Sequence, residues 1–232
     1  MALNVKAFRQ RAITGIAFAF IMLGGLLWNG WTFFILFLIV HFGCWYEFIL
    51  LLKKISPLKY GYKLPLGLLY ITLPIVLIYN LGVTGNLNMD PALTLKQNFH
   101  YINVIPCGII FSIWINDTMA YLVGSIIGKT SLTKISPKKT WEGTIGGGIL
   151  CVVIITWLGY LLKFYTPRDW LWISSICAVF GTLGDLFESK LKRMAGVKDS
   201  GSFLPGHGGF LDRFDSFLFA TPFVWLYCYT SI

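Results

Sequence analysis

Residues 189–215 read SKLKRMAGVKDSGSFLPGHGGFLDRFD, and the reading of the whole chain turns on this polar stretch. The sequence on either side of it is apolar enough for a membrane. Yet five of the ten acidic residues in the chain fall between Asp185 and Asp215. Lys190, Lys192, Arg193, Lys198 and Arg213 share the same window with His207. Pro205 and the neighbouring glycines oppose a continuous helix, so the stretch is expected as a loop that folds back between two spans. Carboxylates and cations set side by side at a bilayer surface suit a metal ion and a polyanion bound together.

The composition supports the membrane half of that reading. The 232 residues are 56% hydrophobic and only 12% charged, with a mean hydropathy of +0.70. Soluble domains carry about 25% charged residues. Five cysteines stand singly in apolar runs, with no ligand or C-x-x-C spacing, and read as small core residues. The first apolar run follows Lys6, Arg9 and Arg11 and leads at once into a second. It reads as an inserted helix rather than a cleaved leader.

A spanning helix needs about 20 mainly apolar residues. Segments 12–28, 31–52, 64–80, 101–127, 143–163, 170–187 and 214–231 meet or approach that length. The expected fold is therefore an all-α polytopic membrane protein of about seven transmembrane helices. Most tryptophans, Trp28, Trp31 and Trp170 among them, fall near span ends, where indole favours the interface. Residues 1–100 are read as N-terminal helices and 101–232 as a catalytic unit with cytoplasmic loops 128–142 and 188–213. Sixteen of the 19 basic residues lie on one side of this topology; Lys96, Lys163 and Arg168 lie on the other. The positive-inside rule puts the N-terminus and both polar loops in the cytoplasm, and with seven spans the C-terminus outside. That distribution also removes nucleic acid as the partner of a chain with net charge +9. Residues 81–100 read as a solvated connector on the outer side.

Asp117 sits deep in an apolar run, and Asp185 closes another. A charge facing lipid costs at least about 2.5–3.5 kcal/mol, so both are expected to face a polar interior. Glu188 and Ser189 follow Asp185 one turn on, on nearly the same face. Glu47 and His41 in the second span are read as structural, with Glu47 reaching the headgroups. In the loop GKTSLTKISPKKTWEG, Thr140 is placed to begin the next helix and Glu142 to sit in its first turn. Lys138 and Lys139 stand just before it, and the glycines of Gly143–Gly148 offer a smooth face for close helix contact.

Hard-cation chemistry needs few protein ligands: magnesium is usually held by one or two carboxylates with substrate phosphates and water. Asp185 and Asp212 are candidates, and Asp117 and Asp215 can join them by folding. Lysine and arginine nearby would neutralise phosphate charge, and the Gly208-Gly209 amides suit close approach to phosphate oxygens. Ser189, Lys198, Asp199 and His207 complete the substrate-binding set. The kit fits phosphoryl or nucleotidyl transfer on a lipid.

The stretch quoted above, preceded by GDLFES, NDTMAYLVGSIIGK and ISPKKTWEG in that order, resembles the signature of the phosphatidate cytidylyltransferases (CDP-diglyceride synthases). That resemblance implies condensation of CTP with phosphatidic acid to CDP-diacylglycerol and pyrophosphate, in a homodimer set among membrane lipids. It implies magnesium, with potassium as a second cation, and Asp185 and Asp212 as metal aspartates, joined by Asp215. It places Asp117, Lys192, Arg193, Asp212 and Arg213 in the catalytic set, and Lys138, Lys139 and Lys198 on the two phosphate-bearing substrates. For a bacterial chain it implies the cell inner membrane, with the active site facing the cytoplasm. The competing enzyme is a CTP-dependent polyprenol or dolichol kinase, or a cytidylyltransferase for another lipid phosphate. A transporter would spread polar residues along several spans, whereas here they gather at one face.

Overall fold

The structure, a computed structural model, describes residues 5–84, 101–203 and 208–232, and among these described residues there are seven long helical elements. They are α1 (Val5–Leu27), α2 (Gly30–Ile55), α3 (Tyr60–Val83), α4 (Val104–Ile127), α5 (Trp141–Leu162), α6 (Pro167–Met194) and α7 (Leu211–Ser231). Of these, α2 to α6 are long and apolar enough to cross a membrane, while the apolar part of α1, Ile13–Leu27, is shorter. Ser131 and Thr140 form an isolated antiparallel bridge. Residues 85–100, with Lys96 and most of the expected outer connector, lie outside the described residues, as does His207. The side chains of Lys6, Arg9 and Arg11 do too.

The helix starts follow local capping chemistry. Asn29 and Thr32 form a capping box at α2, and Thr166 and Asp169 form one at α6, where Pro167 takes the first helical position. Thr140 caps α5, its hydroxyl accepting from the Gly143 amide at 3.1 Å. The segment containing Pro74 is continuous but irregular: a 3₁₀ turn at Tyr60–Lys63 and a π turn at Leu68–Thr72 precede Leu73–Thr84. A proline has no amide to donate and crowds the turn before it; the wider π turn absorbs that defect.

Two differences from expectation have simple causes. Helix α6 continues to Met194, so Ser189–Met194 belong to a helix and not to the loop. Lysine, leucine and arginine are good helix formers, Glu188 and Lys192 pair four residues apart, and Lys192 and Arg193 suit the C-terminal dipole. Trp170 lies near the start of α6 as expected but faces protein: it is 5% exposed, and its indole N–H donates to Phe164 O at 2.5 Å.

Helix α7 lies at the centre, packed on α2, α3, α4 and α6. Phe37 of α2 stacks on Phe217 of α7 at 5.1 Å, and both are almost fully buried. Helices α4 and α5 meet at backbone contact, because a Cβ on Gly147 would fall 2.4 Å from the Ala120 nitrogen. On the other side of α5, Ile145, Ile149, Val153 and Trp157 form an exposed stripe at four-residue spacing. An apolar stripe of that length facing outward belongs against lipid.

Candidate functional site

Four segments converge at one end of the bundle. Helix α4 supplies Asn116 and Asp117, the turn before α5 supplies Lys138 and Lys139, α6 supplies Asp185, and α7 supplies Asp212, Arg213 and Asp215. These residues line a cleft of about 580 Å³. The three-residue spacing of Asp212 and Asp215 puts both on one face of α7. A small hairpin presents the lysines: the Leu132 amide donates to Lys139 O at 2.7 Å, and the Trp141 amide donates to Thr130 O at 3.0 Å. Glu142 fastens its base by accepting from the Lys129 and Thr130 amides, both at 3.2 Å.

Within the cleft, Lys139 forms an ion pair with Asp185 Oδ2, and the Ser189 hydroxyl donates to Asp185 Oδ1 at 3.2 Å. Asp215 is 8% exposed, and its Oδ1 accepts from the Ser216 amide at 2.6 Å. Asp117 is exposed to the cleft, while Asn116 beside it is buried, its Oδ1 without a donor among the described residues. Four carboxylates thus face Lys138, Lys139 and Arg213 across one small volume.

Asp212 has a second job. Its Oδ1 pairs with Lys192 at 2.5 Å, and Lys192 also reaches Glu188 Oε2 at 2.5 Å. Its Oδ2 accepts from the Ser200 amide at 2.9 Å and the Gly209 amide at 2.7 Å. The Ser200 hydroxyl stands 2.9 Å from that same oxygen and 2.6 Å from Glu47 Oε2, so two carboxylates share its one proton. Gly208 makes this geometry possible. Its φ of +82° suits glycine alone, and a Cβ there would fall 2.5 Å from Asp212 Oδ2.

Several expected substrate contacts stand elsewhere. Lys192 is turned into the Glu188–Asp212 pair and does not line the cleft. Arg193 is exposed at the end of α6, donating to Val197 O at 3.2 Å, and so fastens the segment that follows the helix. Lys198 and Asp199 are exposed on the following segment, away from the cleft. The Gly209 amide, expected to be open to a phosphate oxygen, is taken by Asp212.

Glu47 does not reach the headgroups: it is 3% exposed and bonded to Ser200, Phe210 and Leu211. The signal for it in the sequence was its charge inside an apolar helix, the same signal that singled out Asp117. His41 is structural, its Nε2 lying 3.0 Å from Thr72 Oγ1.

Among the described residues, no three His, Cys, Asp or Glu side chains are grouped to hold a metal ion by themselves. Magnesium does not require such a cage, since one or two carboxylates with substrate phosphates suffice. Asp117, Asp185 and Asp215 offer hard oxygen donors at the cleft wall, and among the described residues Asp215 Oδ2 has no hydrogen-bond donor. The fit is therefore good for these three. It is poor for Asp212, whose two oxygens are already engaged inside the protein.

A helical bundle with a lipid-facing apolar surface is an integral membrane protein, and its charged cleft lies at one end. The comparison with known proteins narrows this: the chain belongs to the cytidylyltransferase family, whose sequence pattern matches residues 92–231. It is 50% identical over 115 residues to a phosphatidate cytidylyltransferase of Bacillus subtilis, covering 49% of this chain and 43% of that protein. It is 45% identical over 132 residues to the protein of the same name from Staphylococcus saprophyticus, covering 56% of this chain and 49% of that one. A Staphylococcus aureus relative of that name gives 46% over 132 residues with the same coverage. The chain thus spans about half the length of the curated relatives it matches.

Proposed function

We propose that this protein transfers the cytidylyl group of CTP to phosphatidic acid, releasing pyrophosphate and leaving CDP-diacylglycerol in the membrane. The observation that carries this reading is the cleft itself. Carboxylates from α4, α6 and α7 and cations from the turn before α5 and from α7 meet at the one end of the bundle where basic residues gather. Both reactants are anions, and one is anchored in lipid. A cleft with mixed charge at the bilayer surface answers both requirements.

An oxygen of the phosphatidate phosphate attacks the α-phosphorus of CTP. The bond from that phosphorus to the α,β-bridging oxygen breaks, and pyrophosphate leaves with the electron pair. The nucleophile is already ionised, so no side chain has to remove a proton. Asp117, Asp185 and Asp215 would hold magnesium, which when bound offsets the charge of the two phosphates. Lys139, which pairs with Asp185 across the cleft, and Arg213 are placed to stabilise the departing pyrophosphate. Lys138 at the cleft edge draws in the triphosphate. The excess of basic residues at this end supports a cytoplasmic orientation by the positive-inside rule, and for a bacterial chain the proposed location is the inner membrane. The homodimer implied by the family resemblance is part of the same proposal.

Detergent-solubilised protein given phosphatidic acid, magnesium and CTP labelled at either the α- or the γ-phosphorus tests the reading. Label from the α-position is expected in the organic phase and label from the γ-position in pyrophosphate. Transfer of γ-label to the lipid, with CDP released, would replace the proposal with a CTP-dependent lipid kinase.

A further inference from the structure

We infer that Glu47 is a positioning residue for this site: a carboxylate on α2 that holds the start of α7 and so sets where Asp212 and Arg213 stand. The inference rests on the reaction proposed above. The first amides of a helix have no partner within it, and normally a side chain at the helix's own start supplies one. At α7 the residue in that place is Phe210, which makes no such bond. Glu47 does the work from 163 positions earlier in the chain. Its Oε1 accepts from the Phe210 amide at 2.9 Å and its Oε2 from the Leu211 amide at 2.9 Å. A negative charge at a helix N-terminus is also favoured by the helix dipole.

The grip is close. A Cβ on Gly201 or on Gly209 would fall 2.2 Å from a Glu47 oxygen, so both glycines are pressed against this one carboxylate. The Phe210 ring lies on Gly43, one turn before Glu47, where a Cβ would meet it at 2.5 Å. Helix α2 therefore fixes both the backbone and the ring of residue 210. Asp212, Arg213 and Asp215 follow within two turns, and the Ser200 hydroxyl links Glu47 directly to Asp212. Misplacing a reacting group by about 1 Å can cost about a hundredfold in rate. Glu47 also lies outside residues 92–231, so the family-matched part of the chain takes one of its determinants from the N-terminal helices.

Glu47→Gln and Glu47→Asp in the full chain test this. Glutamine keeps the shape but offers one acceptor oxygen to three donors and turns an amide N–H₂ toward them. For Glu47→Gln, kcat is expected to fall by about 10- to 100-fold, with KM for CTP changed by less than about twofold. Hydrogen exchange is expected to rise about tenfold or more in residues 200–211 only, with α4 and α5 unchanged. Glu47→Asp, which keeps the charge, is expected to recover part of both. Unchanged kcat would overturn the proposal. So would a loss of activity that matches an equal loss of folded protein with exchange raised throughout. If the unaltered chain makes no CDP-lipid, exchange alone decides. A rise confined to 200–211 keeps the positioning role and discards the reaction, and no rise discards the role.

Discussion

Asp185→Asn is expected to lower turnover by about a thousandfold while the protein still melts within a few degrees of the unaltered chain. The two halves of that expectation come from different observations. Asp185 and Lys139 are 29% and 28% exposed at their side chains, and a pair that open to solvent adds little to stability, about 1 kcal/mol or less. Asparagine also keeps an oxygen for the Ser189 hydroxyl. What it removes is a full negative charge at the cleft wall, where the proposed reaction needs a metal and two phosphates held together. Activity measured on α-labelled CTP beside a thermal melt in detergent separates the effects. Turnover above about a tenth of normal would take Asp185 out of the site.

Lys192→Met is expected to lower the thermal midpoint by roughly 10 °C and to abolish activity with it. Lys192 is only 12% exposed, between Glu188 at 0% and Asp212 at 8%, and it is the cation that both carboxylates share. Removing it leaves two buried negative charges facing each other, with Glu47 close behind through Ser200. Breaking a buried pair from one side costs about 3–5 kcal/mol. Adding Glu188→Gln removes one of the uncompensated charges and should return part of the lost midpoint, but not the activity. A Lys192→Met protein that melts like the unaltered chain would show that the cluster contributes nothing to holding α6 and α7 together.

The same cluster shows what was legible in the sequence and what was not. The helices lie close to the expected segments because an apolar run of span length and its capping residues are local signals: Asn29, Thr140 and Thr166 each announce a start. The importance of Asp117 and Asp185 was legible from the cost of a charge among apolar neighbours. Partner choice was not. In the sequence Lys192, Arg193 and Lys198 look alike, three cations in one polar stretch. In the fold one is spent on Glu188 and Asp212, one on the segment after α6, and one faces outward.

Glu47 carried the same burial signal as Asp117. Its place near the end of α2 points to the headgroups, and its three partners, more than 150 positions away, leave no local signal. The charges of Ser189–Met194 suggest a loop, but a four-residue pair and a favourable dipole extend helix α6 instead.

One cleft, and not the exposed Lys198–Asp199 stretch, is proposed to gather both phosphate-bearing reactants. A structure determined with magnesium and CTP tests it most directly. The account predicts the metal between Asp185 and Asp215 with Asp117 at its edge, the triphosphate against Lys139 and Arg213, and Asp212 still bound to Lys192. A metal held by Asp212 with Lys192 displaced, or CTP bound away from Asp185, would contradict it.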